Sequence, residues 1–505
     1  MKLSQRLLSV ITAAVIAIFA LPAVGISAVS AEDYSYYYGD TEKYAEAELY
    51  IAEQLYNAAD KIELTDYRLT IDEYKDILTD ILISRPDMFY VDTYQYYKTN
   101  ANSGYITTVT PGYCYPKSSI PRRREEMEKA ADAILIGIKD SWSDVQKALY
   151  IHDKIIINTE YNLDNEIRSA YEVLVNKNGI CVSYAMAYKY LLNRVGIDCI
   201  CVLSTEMGHC WNMVKIDDSW YHVDTTWDDL LPDFEGAAAH DLFMLSDEAI
   251  KNASLSHYDW EMGYKADDTS YDKMFWQMSE AQIIPISSDV WYYVDSYNGT
   301  LNRYSWSGNK SQKMYTIGRN WKSEEGGNFY YCFSRLEYAD NMLWFNSADT
   351  IMSYSVKDKT AKAEKKLKLS GSNAIYGLVV KDGKLMYEVA SSRLSYTSVT
   401  KTAFTVSVTT ELDAPESFRG VASKSNGKYT VKLTWDKVSG ADGYTVYRYD
   451  PSSKKATKIA DTSKTGYIIK GLSSGSYSYI VCAYKSINGK KIYGDFSSTV
   501  TKKLA

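Results

Sequence analysis

The chain has 505 residues, 46% of them hydrophobic and 24% charged, with a formal net charge of −8. A chain this long buries several cores, about three domains at the usual domain size, so it reads as a multidomain globular protein. Seven cysteines, odd in number and without a C-x-x-C pair, exclude a disulfide scaffold and leave room for a working thiol.

In chain order, Lys2 and Arg6 precede an apolar run from Leu7, and Val29 and Ala31 stand at positions −3 and −1 of a cleavage site. This predicts a secretory signal peptide over residues 1–31 and a secreted protein starting near Glu32, extracellular or held at the cell surface. The rival reading is an uncleaved membrane anchor, because the run is long enough to cross a bilayer, although Pro22 and Gly25 interrupt it. No other stretch reads as a span.

Residues 43–83 carry helical signals, with Leu49, Ile51, Leu55 and Tyr56 recurring at helical intervals, and a strand-like stretch from Met88 to Tyr97 follows Arg85-Pro86-Asp87. Residues 122–139 and 143–158 again read as helices, the second with Val145, Leu149, His152 and Ile156 on one face. The section 160–260 alternates one helix with short strands.

From about 283 to 410 short aromatic strands are separated by Gly, Asn and Asp. Leu336, Asp340, Leu343 and Tyr354 recur 42 residues later as Leu378, Asp382, Leu385 and Tyr396, and a weaker copy surrounds Val290–Tyr293 and Tyr304. Such a period predicts β-propeller-like repeats, with a stack of β-meanders as the alternative, since three copies fall short of the usual four or more blades. Exposed aromatics here could bind glycan or peptide, but aromatics at strand spacing more often build core.

Residues 412–505 show alternating strands at the spacing of a β-sandwich. This segment holds 16 basic and 7 acidic residues, a net +9, whereas residues 32–411 carry −19. A basic module on an acidic body could dock on an anionic cell-wall polymer or glycan, against the plainer reading of a solvated lysine face. Leu433-Thr-Trp435, Gly440–Tyr447, Gly471-Leu472 and Tyr477–Tyr484 together resemble a fibronectin type III domain.

The residues that could carry chemistry lie in 179–229. Gly179 precedes Cys181, after which Ala185, Tyr188, Leu191 and Leu192 fall at helical spacing, so the thiol sits at a helix N-terminus, where unpaired N–H groups favour the thiolate. Cys210–Ile216 and Trp220–Asp224 predict an antiparallel hairpin turning at Asp217-Asp218. If Ile216 pairs with Ser219, His209 faces Thr226 and Asp224 is its diagonal neighbour, within side-chain reach. Nucleophile, base and orienting acid then follow in the order Cys181, His209, Asp224, an arrangement suited to acyl transfer through a thioester.

Three blocks, Gly179-Ile-Cys181-Val-Ser-Tyr184-Ala185, His209-Cys-Trp211-Asn212, and Trp220-Tyr221 with Asp224-Thr-Thr226-Trp227-Asp228, resemble the core of the transglutaminase-like superfamily, and with flanking pieces the resemblance covers roughly residues 43–262. It implies a papain-like α+β catalytic domain (32–262 here) with Cys181, His209 and Asp224 as catalytic triad. It also implies an oxyanion hole formed by the Cys181 N–H with Tyr161 as second donor, and site walls formed by Trp211 and Trp227. Thr225 stands where a proline is common and Cys210 where a small residue usually follows the histidine.

The resemblance favours protein or peptide substrates at the cell surface, with hydrolysis (protease, amidase or deamidase) and glutamine–lysine cross-linking both open. Water at about 55 M tilts toward hydrolysis, since transfer needs a shielded thioester. The reading from another class is an inactive adhesion or scaffold protein whose β modules bind glycan or protein. His152 and His222 read as structural. A metal site from His209, Cys210, His222 and Asp224 is disfavoured because adjacent strand residues point to opposite faces. No EF-hand, Walker, dinucleotide or nucleic-acid motif is present, and no cofactor is expected.

Overall fold

The computed structural model describes residues 41–504, apart from 323–329, 407–411 and single or paired residues at 140, 165–166, 261–262, 382, 413, 426, 439–440, 454 and 488–489. The expected signal peptide lies outside the described residues. Among those described, no helix is long and apolar enough to cross a membrane.

Helix α1 (Thr41–Tyr56) buries Ala47, Ile51 and Leu55 at four-residue spacing. Helix α2 (Ile71–Ser84) starts at a Thr70–Glu73 capping box, which satisfies its first N–H groups, and buries Tyr74, Ile77, Leu78 and Ile81. Pro86 ends it, as a residue preceding proline resists helical geometry. The helical signal expected over 43–83 is therefore two helices. Between them β1 (Ile62–Glu63) joins an antiparallel sheet of order β1-β3-β2 with β2 (Tyr96–Thr99) and β3 (Ile106–Thr110).

The strand expected from Met88 to Tyr97 is corrected at its start and holds only for Tyr96 and Tyr97, which open β2. A 3-10 turn occupies Pro86–Met88, and Met88, Phe89 and Tyr90 are consecutively buried, which an alternating strand cannot do.

Helices α3 (Ile120–Leu135) and α4 (Asp144–Ile156) follow. Then β4 (Glu160–Tyr161) pairs in parallel with β5 (Asn178–Gly179), which leads straight into α5 (Cys181–Arg194). Ten consecutive residues of α5, Ser183 to Leu192, are buried, the mark of a central rather than a surface helix. It packs on an antiparallel sheet of order β6-β7-β8-β9, made of Cys199–Ser204, His209–Ile216, Ser219–Val223 and Phe243–Leu245.

Beyond this α/β part the chain is a run of antiparallel sheets, with no closed barrel among the described residues. Three successive meanders span Ile284–Thr316, Leu336–Lys366 and Ala374–Thr405, with four, four and three strands. In the repeated set, Leu336, Leu343, Leu378 and Leu385 are fully buried, and so is Tyr354. Tyr396 departs from the repeat: it is 81% exposed in a turn, because the third meander has no strand at that place. Asp382 lies outside the described residues.

Eight further strands between Arg419 and Leu504 form two antiparallel sheets around a core of their own, including Val431, Leu433, Trp435, Val446 and Val481.

The α/β part and the meanders share cores rather than merely touching. Trp291, Tyr293 and Tyr304 of the first meander belong to the cluster built on α1–α5, while Phe234 and Ala237, from the loop after β8, belong to the meander cluster. That loop is pinned by Glu235 O to Leu378 N–H at 2.9 Å and by Arg393 Nη1 to Pro232 O at 3.1 Å.

Gly236 makes the close approach feasible: its φ is +81° and a Cβ there would lie 2.3 Å from Leu378 O. Gly236→Ala should lower stability by more than about 2 kcal/mol, combining left-handed strain with a backbone clash. Gly196→Ala, also left-handed (φ +80°) but with nothing within 4 Å, should cost only about 1 kcal/mol. Equal shifts in urea midpoint for the two variants would contradict this account of the junction.

Candidate active site

Gly179 and Ile180 deliver Cys181 to the first turn of α5. A Cβ on Gly179 would stand 2.8 Å from Ser183 Cβ and 2.9 Å from Val173 Cγ2, so only glycine lets β5 turn so closely into the helix. The Ile180 carbonyl accepts from the N–H groups of Ser183 and Tyr184, which closes the first turn behind the cysteine. Tyr161 stands opposite Gly179 on the paired strand β4.

The hairpin β7–β8 pairs Ile216 with Ser219 and Asn212 with Val223. Pairing stops there, and His209 does not face Thr226 across a ladder as the extended register would require. Instead the chain turns out of the sheet: Asp224 N–H reaches Leu242 O at 3.1 Å, and Asp224 Oδ1 accepts from Thr226 N–H (2.9 Å) and Trp227 N–H (3.2 Å). The aspartate side chain caps its own turn, a local habit of this residue type. Its other oxygen, Oδ2, meets His209 Nε2 at 2.7 Å. With Nε2 so engaged, Nδ1 is the ring nitrogen left to serve the Cys181 thiol, which lies close enough for each group to shift the other.

The electrostatics follow from these contacts. Burial pushes the Cys181 thiol up, but the hydrogen bond and charge of His209, with the N–H groups of Cys210 and Val182, outweigh it and leave the thiol below its ordinary value. His209 is held up at about 9: burial opposes its charge, while Asp224 and Cys181 more than restore it. Asp224 is fully buried yet lowered to about 2, because His209 and His257 offset the desolvation.

Two indoles flank His209, with Trp227 stacked at 4.5 Å and 15° and Trp211 at 5.8 Å and 17°. The stacked aromatic faces favour the cationic ring. Trp211 is itself oriented, since its Nε1–H donates to His222 Nδ1 at 3.0 Å and His222 Nε2–H donates to Asp247 at 2.8 Å. Tyr161 lies close enough to Cys181 and Asp224 for both charges to raise its hydroxyl, after the larger effect of burial.

The structure thus brings together Cys181, His209, Asp224, Trp211, Trp227 and Tyr161. It separates the metal set weighed from sequence. The Cys210 thiol is buried and donates to the Trp211 carbonyl oxygen, and His222 is committed to Trp211 and Asp247. Two other buried groups, His152–Asp153–His240 and His209–Asp224–His257, have nitrogen and oxygen atoms within 4.8 Å of one another, a spacing a metal ion could use. In both, imidazole nitrogens are already hydrogen bonded to the carboxylate.

His152 also bonds Asp228, which accepts from Leu242 N–H, so this second network ties α4 to the loop that follows Asp224. His240 and His257 carried no signal in the sequence: each stands in a loop without periodicity, and only the fold brings it to an aspartate.

Residues 132–225 match the family model of the transglutaminase-like superfamily. The transglutaminase-like stretch therefore contains Cys181, His209 and Asp224, and ends just short of Trp227. No curated protein matches the chain. Among solved structures, fibronectin-type-III folds are neighbours: FN3tt mut at 28% identity and FN3tt at 27%, each covering 18% of this chain and 91% and 89% of theirs, with TM-scores of 0.15. The extracellular domain of a one-component system from B. thetaiotaomicron aligns at 11% identity and a TM-score of 0.19, over 58% of this chain and 43% of that one.

Proposed function

We propose that the protein is a cysteine enzyme that acts on protein amide groups through an acyl-enzyme on Cys181. The observation that carries this reading is the His209–Asp224 hydrogen bond beside the Cys181 thiol, which His209 lowers, at the start of a buried helix.

The Cys181 thiolate attacks the amide carbonyl carbon, and the oxyanion is met by the Cys181 N–H, with the Tyr161 hydroxyl as second donor. The C–N bond breaks as His209 passes its proton to the leaving nitrogen, which departs as ammonia or an amine. The same imidazole then takes a proton from the incoming nucleophile, which displaces the thiol from the thioester. Water as that nucleophile gives hydrolysis and a lysine amine gives a cross-link. Hydrolysis is favoured because Cys181 and Tyr161 are only partly buried, which leaves the thioester open to solvent.

The reading is tested on the thiol alone. An ordinary cysteine with a value near 8.5 gains roughly 20-fold in alkylation rate between pH 6.5 and 8, following its thiolate fraction. Cys181, whose thiol His209 holds below its ordinary value, should rise by distinctly less than that roughly 20-fold with iodoacetamide over the interval, with the labelled peptide identified by mass. A steep ordinary profile, or no labelling of the folded protein, would sink the enzyme reading and favour the inactive scaffold.

A further inference from the structure

We infer that His257 is a positioning residue of this site, which holds Asp224 by the same carboxylate oxygen that His209 meets. The inference rests on the reading of Cys181 as nucleophile. His257 Nε2 lies 3.0 Å from Asp224 Oδ2, the same oxygen that His209 reaches at 2.7 Å. Its Nδ1 lies 3.1 Å from the Leu255 carbonyl oxygen. A carbonyl oxygen only accepts, so Nδ1 carries a proton, and an ionised carboxylate only accepts, so Nε2 carries one too. The ring therefore donates at both ends and is an imidazolium.

That cation is 1% exposed and is enclosed by the indoles that flank His209, with Trp227 at 4.5 Å and Trp211 at 4.7 Å. The titratable groups that face it are Asp224, His209 with ring centres 5.7 Å apart, and His222, whose protonation its charge disfavours. Asp224 is thereby fully engaged: Oδ1 takes two backbone N–H groups and Oδ2 takes two imidazole N–H groups. A carboxylate held at four points cannot rotate away from His209. His257 also balances a buried negative charge that would otherwise stand against one imidazolium alone whenever His209 is protonated, and against none when His209 gives its proton up.

Two measurements test this. In protein labelled with ¹⁵N-histidine, His257 should show two protonated ring nitrogens at pH 7, and a lone-pair nitrogen at His257 would overturn the inference without any substitution. His257→Phe, which keeps an aromatic of similar size, should slow iodoacetamide alkylation of Cys181 at pH 7 by about tenfold or more, through loss of one charge-assisted hydrogen bond to Asp224. His257→Gln, which restores a donor, should recover most of that rate. A His257→Phe variant that folds and alkylates at the unaltered rate would also overturn it, and the NMR result decides if that variant does not fold. A wild-type Cys181 that fails to alkylate would overturn the enzyme reading while the two-proton signature of His257 still stood.

Discussion

Cys181→Ala should remove turnover by at least about 10⁴-fold, measured as ammonia or amine release from casein and as incorporation of a labelled primary amine. The size of the effect follows from geometry. The other thiols cannot take over: Cys199, Cys201, Cys210, Cys332 and Cys482 are buried, and burial pushes the half-buried Cys114 up to about 11. None of them stands at the start of a helix beside an imidazole. Cys114→Ser should therefore leave activity within about twofold of the parent, since that thiol is neither ionised nor near His209. Activity that survives in Cys181→Ala would end the acyl-enzyme reading. Label in the protein rather than free ammonia would assign the second half-reaction to an amine.

Asp224→Asn should lower activity by about 10³- to 10⁴-fold and cost stability as well. Each carboxylate oxygen accepts two N–H groups, so an amide must point its own N–H₂ at two donors on one side or the other. The stability loss has a definite pH signature. Asp224 is lower when folded than unfolded, so its contribution is present above about pH 4 and disappears as pH falls through about 2. His209 is higher when folded, so its contribution is complete below about pH 6.5 and is lost as pH rises through about 9. The gap between parent and Asp224→Asn should thus be widest between about pH 4 and 6.5, narrowing at pH 3 and again at pH 9. A gap that keeps growing toward pH 9 would contradict the charge assignment.

The parts of this site that were legible in the sequence are those that local pattern controls. Helical spacing after Cys181 marks α5, and the Asp217-Asp218 turn with Ile216 opposite Ser219 marks the hairpin, because both depend on neighbours a few residues away. The departure of Asp224 from the ladder was not legible, since it depends on Leu242 O and on two N–H groups of its own turn. The split of the first helical stretch was hidden for a similar reason: β1 is two residues long and exists only because β3 pairs with it. His257 and His240 illustrate the limit most plainly, as each meets a carboxylate 33 and 87 residues away, in loops whose composition is ordinary.

The loop from Asp228 to His240 has a bearing on how such chains diversify. Phe234 and Ala237 complete the interior of the meanders, while Trp291, Tyr293 and Tyr304 complete the interior of the α/β part. Cutting between the two would bare aromatic surface on both products and unpin the segment that follows Asp224. Recombination at that seam would yield two insoluble halves, so the α/β part and the meanders should be inherited together. The C-terminal strands keep an interior of their own, so their loss would open neither of the other two interiors.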